Sequence, residues 1–221
     1  YIVNCIGDLV EINPNYERAI YLNSLLPHLL KNISKEVGSK LIHISTDCVF
    51  SGKKGRYAEL DDRDGIGLYA ETKKSGEIID ESNLTLRSSI IGPELKSSGK
   101  GLFQWFITQD SDVQGYTNSI WSGVTTIELA KAIKWAIDFE ITGLYHITNG
   151  YCINKYELLN LFKKYSNSQI RITPIDGKSH DKSFVDTRKE ISYKIPSYEQ
   201  MVMQMIIDIK SNHKKYNYKN L

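Results

Sequence analysis

Ser45-Thr46-Asp47-Cys48-Val49-Phe50 and, 23 residues beyond Thr46, Tyr69-Ala70-Glu71-Thr72-Lys73 decide how this chain is read. The apolar run Leu41-Ile42-His43-Ile44 leads into Ser45, so Thr46 stands at the end of a strand over Lys40 to Ser45. Ser51 to Leu68 is polar and glycine-bearing, hence loop, and Tyr69 to about Asp80 is predicted as a helix. Upstream, Tyr1 to Ile6 is a short buried strand. Asn13-Pro14 opens a helical region to about Val37, with Ala19, Leu22, Leu25, Leu26, Leu29, Leu30 and Ile33 recurring at three and four. Pro27 is expected to kink or divide that helix, and Gly38 to stop it. Downstream, Leu84 to Ser89 is a third strand with Arg87 near its end, broken by Ile91-Gly92-Pro93. This β-α-β-α-β alternation predicts an α/β fold, a Rossmann-like parallel sheet with covering helices.

After residue 92 the pattern loosens, as expected for a smaller lobe. A short helix falls over Gly101 to about Thr108. A clear amphipathic helix follows over Thr125 to about Phe139, with Ile127, Ala130, Ile133 and Ile137 on its apolar face. A strand is predicted at Gly143 to Thr148 and another at Ile170 to Ile175. Asn154-Lys155-Tyr156-Glu157 reads as a capping box opening a helix through Tyr165, and Ser-x-x-Gln begins the last helix, Ser197 to about Asn212. The expected division is 1–92 for the catalytic part of a dinucleotide-binding domain and 93–221 for mainly a substrate-binding lobe, with 120–150 partly returning to the first unit.

Composition limits the function classes. The 221 residues carry a net charge of +2, which gives no electrostatic case for a nucleic acid or a membrane as partner. No apolar run approaches the roughly 18 residues that span a bilayer. Cys5, Cys48 and Cys152 are widely spaced, with no Cys-x-x-Cys, so neither a disulfide framework nor a metal site is expected, and a reduced cytoplasmic setting fits best. The basic, aromatic tail His213 to Lys219 reads as a solvated end.

Tyr69 and Lys73 lie four apart at a helix start and so project from one face. A phenol titrates near ~10, too high for proton transfer at neutral pH, and an adjacent ammonium is expected to lower it. The pair then becomes a proton donor to a carbonyl under reduction, with Thr46 hydrogen-bonding the same oxygen. Tyr-x-x-x-Lys alone is a weak signal: Tyr151-x-x-x-Lys155 also matches, but no strand-end hydroxyl precedes it, and Tyr151 sits in a Gly-Tyr-Cys loop. That second copy is read as ordinary sequence.

Ser45-Thr46-Asp47-Cys48-Val49-Phe50-Ser51-Gly52, then Tyr57-Ala58-Glu59, then Leu68-Tyr69-Ala70-Glu71-Thr72-Lys73-Lys74-Ser75-Gly76-Glu77, resembles the extended short-chain dehydrogenase/reductase superfamily, and most of all its dTDP-4-dehydrorhamnose reductase branch. One position of that pattern differs: Ala70 stands where the family has glycine. The resemblance runs through Leu86 to Gly92 and Gly143 to Ile147. It implies NADP or NAD as cofactor, a nucleotide-sugar substrate, a homodimer as a further partner, and a place in deoxysugar and surface-polysaccharide synthesis. It also implies roles. Thr46, Tyr69 and Lys73 are the catalytic residues. Asn4, Cys5, Ile6, Gly7, Asn23, Ser45, Ser88, Ser89 and Ile90, with Tyr69 and Lys73, are the cofactor-binding set. Thr46, Asp47, Trp105, Tyr116 and Trp121 are the substrate-binding set.

The glycine-rich turn that opens such domains and holds the pyrophosphate is not found in these residues. The chain starts inside an apolar stretch with no initiator Met, so a longer parent is expected, with roughly 60–70 residues and three strands ahead of Tyr1 and the piece alone inactive. Rival readings stay open. A related epimerase or acetamido-sugar reductase keeps the same three residues. The regulatory subunit of methionine adenosyltransferase, which resembles this family, uses such a fold for binding alone. A degenerate remnant is the third.

Overall fold

The computed structural model describes residues 1–9, 14–96, 99–177, 179–185, 187, 193–216, 218 and 221. Asn13, expected to open the first helix, lies outside these. Strand β1 (Ile2–Asn4) is followed by α1 (Tyr16–Ile20), which Asn15 caps by accepting from the Arg18 N–H. A five-residue π-helical turn, Tyr21–Leu25, joins α1 to α2 (Leu26–Glu36). The run is thus divided next to Pro27, as expected, by a π-helical turn rather than by a loop. Pro27 sits in the first turn of α2, where a missing N–H is cheapest, and the widened turn before it accommodates the ring. Gly38, at φ +67°, ends the run.

Strand β2 (Leu41–Ser45) leads into a 3₁₀ turn at Asp47–Val49, then α3 (Leu68–Ser75) and β3 (Leu84–Arg87). Helix α3 stops at Gly76, short of the expected Asp80. Pro27 cannot donate to the carbonyl of Asn23 four residues earlier, and Gly76 packs against that oxygen; a Cβ there would lie 1.9 Å from it. Strand β4 (Ile90–Ile91), α4 (Leu102–Ile107), β5 (Val113–Tyr116), β6 (Ser119–Trp121) and β7 (Val124–Thr125) come next. They precede α5 (Thr126–Asp138), β8 (Gly143–His146), β9 (Ile153–Asn154), α6 (Lys155–Ser166), β10 (Ile172–Ile175), β11 (His180–Asp181) and α7 (Tyr198–Ser211). Both predicted capping boxes form, Asn154 with Glu157 and Ser197 with Gln200. Helix α5 buries Leu129, Ala132 and Ala136 rather than the expected isoleucine-centred face: Ile127, Ile133 and Ile137 flank it half-buried and Ala130 is exposed. Two alanines at the centre let the helix approach its neighbours more closely than isoleucines would.

The main sheet is parallel, in the order β1-β2-β3-β8. Its register places Ser45 opposite Arg87, and Arg87 opposite His146, so three polar side chains meet at the carboxyl ends of the strands. Small sheets β10-β5, β11-β6-β9 and β4-β7 lie outside it. One apolar core runs from Ile42 and Leu86 through Phe103, Phe106 and Phe162 to Met205 and Ile209. A smaller cluster, Val49, Phe50, Tyr57 and Phe184, seals the loop after β2, with Phe50 and Tyr57 stacked 4.2 Å apart. Among the described residues, no helix is long and apolar enough to cross a membrane.

Two buried histidines make the fold acid-sensitive. His43 accepts from Asn4 through Nδ1, and burial, with the Lys73 and His28 charges, pushes it down to about 3. His146 is pushed down to about 4, by burial first and by Arg87, against the opposing pull of Glu59. Both are neutral when folded and titrate near ~6.5 when unfolded, so their contribution is complete above that pH and is lost as pH falls through 4 toward 3. The folded state resists protonating either ring, so each decade of pH below the unfolded value costs the fold up to ~1.4 kcal/mol per histidine until the folded value is reached. A urea midpoint that falls steadily from pH 6.5 to 4 is the expected result; a flat profile would place charged imidazoles in the fold.

Candidate active site

The carboxyl ends of β1, β2 and β3 open into one cavity of about 400 Å³, lined by Cys5, Ile6, Gly7, Ser45, Thr46, Asp47, Cys48, Tyr69, Lys73, Ser88, Ser89 and Ile90, with Ile44 and Leu9. The three expected catalytic residues thus converge with most of the expected cofactor set. A parallel sheet does this by construction: each strand delivers its following loop to the same edge, and α3 folds back over it.

The Thr46 hydroxyl donates to Asp47 Oδ1 at 3.1 Å and accepts from the Cys48 N–H at 3.2 Å, which fixes its direction. Lys73 is buried in α3, and its Nζ donates to the Ile44 carbonyl at 2.8 Å. Burial lowers Lys73 to about 8, opposed by Glu77 and Cys5. Tyr69 differs from expectation. It is pushed up to about 12, by burial and by the nearby Cys48 and Asp47, with the Thr46 hydroxyl opposing. Lys73 does not offset this, because its ammonium is turned to the strand. Tyr69 is therefore a fully protonated phenol at neutral pH.

Asn4 and Asn23 stand behind the cavity wall. Asn4 Oδ1 accepts from the Ile6 N–H, shaping the turn out of β1. Asn23, fully buried, both accepts from the Asp8 N–H at 2.7 Å and donates to the Asp8 carbonyl at 3.0 Å, while also donating to Thr72 Oγ1 at 3.1 Å. It ties the Gly7–Leu9 loop to α3 one residue before Lys73, rather than touching the lysine. Ser88 Oγ donates to the Ser89 and Ile147 carbonyls, which locks the loop after β3.

The expected aromatic substrate residues do not line the cavity. Trp105 lies half-exposed on α4, and Tyr116 lies on β5 against Gly177. Trp121 is 3% exposed and belongs to the core, packed on Tyr198. Of the three, Trp121 alone is a core ring, a distinction that burial makes and aromaticity does not.

Beneath the site lies an ionic cluster to which the sequence assigned no role. Glu77 receives Arg87 Nε at 2.6 Å and Nη2 at 2.7 Å, Arg63 Nη1 at 2.9 Å and the Ser45 hydroxyl at 2.7 Å. Arg87 also donates to the Glu59 carbonyl and to His146 Nε2. These bonds join the ends of β2, β3 and β8 directly under Thr46 and Ser88, and they hold Glu77 below its ordinary carboxylate value despite burial.

The parallel sheet with polar residues gathered at its carboxyl edge defines a Rossmann-like α/β protein with a tyrosine–lysine site. Residues 7–92 match the family profile described as the RmlD substrate binding domain. The spore coat polysaccharide biosynthesis protein SpsK of Bacillus subtilis (strain 168) is 25% identical over 171 residues, covering 74% of this chain and 59% of that protein. The chain thus spans less than two thirds of that relative. The dTDP-4-dehydrorhamnose reductase of Bacillus anthracis, solved with NADP, superposes with a TM-score of 0.81 at 20% identity, over 94% of this chain and 79% of that one. The Clostridium acetobutylicum orthologue gives 0.80 at 19% identity, over 94% and 80%. The fold is therefore that of the dTDP-4-dehydrorhamnose reductases, and the profile match over 7–92 agrees with the resemblance read from the motifs.

Proposed function

We propose that the chain carries the catalytic and substrate-binding part of a sugar-nucleotide reductase that reduces the 4-keto group of a nucleotide-linked deoxysugar, in the synthesis of a surface polysaccharide. The observation that carries this reading is the meeting of Thr46, Tyr69 and Lys73 with Cys5–Gly7 and Ser88–Ile90 in one cavity. The cavity also fits a nicotinamide cofactor. Its floor offers an ammonium and a phenol as partners for ribose hydroxyls. Its rim keeps Ile6, Leu9 and Ile90 exposed at 51%, 66% and 41%, apolar surface suited to a planar ring. When bound in its reduced form, NADPH or NADH, the cofactor would supply the hydride and leave as NADP or NAD.

The chain's own residues do the rest. Tyr69 presents its phenolic proton to the carbonyl oxygen. Thr46, released from Asp47, donates to the same oxygen and sets the carbonyl's orientation. Lys73 uses one of its three N–H groups on the Ile44 carbonyl, leaving two for the ribose hydroxyls of the cofactor. The three free cysteines support a reducing compartment, the cytoplasm.

Lys73 near 8 gives a pH test. Its folded value lies below the ordinary ~10.4 of lysine, so the ammonium persists up to about pH 8 and is lost above it. Affinity for NADPH, followed by fluorescence titration, is expected to be level to about pH 8 and then weaken; Lys73→Met should bind weakly with no such break. A break retained in Lys73→Met would assign it to another group. The reaction itself is tested by NADPH and NADH oxidation with dTDP-4-keto-6-deoxyhexose, and the absence of turnover by the full-length protein with either cofactor would overturn the assignment.

A further inference from the structure

Parallel pairing sets His43 of β2 directly opposite Asn4 of β1, with Thr85 of β3 on its other side. Its neighbours along β2, Ile42 and Ile44, belong to the main apolar core, so the alternation of the strand turns His43 to the opposite face of the sheet. The imidazole and the Asn4 side chain are both buried. The Ile6 N–H bonds to Asn4 Oδ1 at 3.1 Å, and since a backbone N–H only donates, it identifies that atom as the oxygen. The amide nitrogen of Asn4 then faces His43 Nδ1, 3.1 Å away. That nitrogen only donates, so Nδ1 accepts and the ring proton sits on Nε2. The bonds run in one direction: Ile6 donates to Asn4, and Asn4 donates to His43.

The ring is a poor choice for stability alone. His43 Nε2 is buried with no hydrogen-bond partner among the described residues, and Thr85 Oγ1 beside it is engaged with the carbonyl and the N–H of Ile78. An unpaired N–H in the interior is unfavourable, and leucine would fill the place without one. What histidine supplies there and leucine does not is an acceptor for the Asn4 amide. Cys5, Ile6 and Gly7 are exposed, so packing does little to hold the turn they form. The turn is pinned instead by hydrogen bonds, at Ile6 by Asn4 and at Asp8 by Asn23.

We propose that His43 is a positioning residue for the nicotinamide cofactor: by fixing the rotation of the Asn4 amide it holds the Ile6 N–H, and with it the Cys5–Gly7 wall of the cavity. This rests on the cofactor reading above. His43 does not itself line the cavity, so its effect reaches the cofactor through Asn4.

The test titrates NADPH by its fluorescence against the full-length wild type, His43→Leu, His43→Asn, Asn4→Ala and the double variant His43→Leu/Asn4→Ala, each first shown to melt cooperatively. His43→Leu keeps the bulk and removes the acceptor. His43→Asn leaves a gap but places an oxygen where Nδ1 stood. His43→Leu is expected to bind NADPH about 5- to 20-fold more weakly, and His43→Asn to stay within about threefold of wild type. A packing role alone predicts the reverse order. Asn4→Ala should weaken binding by a similar factor and the double variant no further, because the chain of bonds is already broken. In turnover, His43→Leu should raise KM for NADPH and leave kcat close to wild type. Amide hydrogen exchange at Ile6, which needs no ligand, should quicken in His43→Leu and not in His43→Asn. His43→Met replaces His43→Leu throughout if the latter does not fold. Wild-type affinity in the leucine variant, an equal loss in His43→Asn, additive losses in the double variant, or unchanged exchange at Ile6 each overturns the proposal while the cofactor reading stands. A wild type that binds no NADPH overturns the cofactor reading, and the proposal with it.

Discussion

Tyr69→Phe is expected to lower turnover by about 10²- to 10⁴-fold while leaving KM and the melting temperature close to wild type. The phenol is held up to about 12, chiefly by burial, so at neutral pH it carries its proton and is set to give it. Phenylalanine keeps the ring in place and removes only the hydroxyl. Thr46 can still orient the carbonyl, but the oxygen that gains charge on reduction then has no side-chain acid to neutralise it. Measuring keto-sugar reduction by both proteins at pH 7 decides the point. A phenylalanine variant that turns over normally would show that the proton comes from solvent or another group, and would remove Tyr69 as the acid.

Glu77→Gln is expected to cost about 3–5 kcal/mol, a large share of the stability of an ordinary domain. Glu77 and Arg87 are both fully withdrawn from water and joined by two short bonds, and Arg63 and Ser45 complete the carboxylate's shell. Glutamine keeps the shape but leaves the Arg87 charge uncompensated in the interior, beside His146 and over the Phe50 ring. At roughly 2–4 °C per kcal/mol, the melting temperature should fall by about 6–20 °C. The double variant Glu77→Leu/Arg87→Met, which removes both charges, should recover part of the loss. Because the cluster ties the strand ends beneath Thr46 and Ser88, turnover should fall even below the new melting temperature. A single variant as stable as wild type would mean that Arg87 is compensated by other groups.

The fold was legible because its periodicities are local. Leu41–Ser45 and Leu84–Arg87 are apolar runs too short for helices, and Asn154 and Ser197 announce their helices by caps that involve residues three positions away. Helix ends set by distant partners were not legible. Gly76 closes α3 because of a carbonyl at Asn23, more than fifty residues earlier in the chain. The buried face of α5 followed what packs against it, not the position of its largest apolar side chains.

For the site, sequence by itself determined the parts that one strand end and one helix turn can specify: Thr46, Tyr69 and Lys73, and their delivery to a common edge once the sheet is parallel. Only the tertiary structure decided the rest. It turned Lys73 to the Ile44 carbonyl and raised Tyr69 instead of lowering it, because burial outweighs a charge that points elsewhere. It left Trp105 and Tyr116 exposed and outside the cavity's lining and put Trp121 in the core. It built the Glu77–Arg87 cluster from groups that lie apart in the chain. Such contacts depend on burial and on which surfaces meet, and neither quantity exists until the chain has folded.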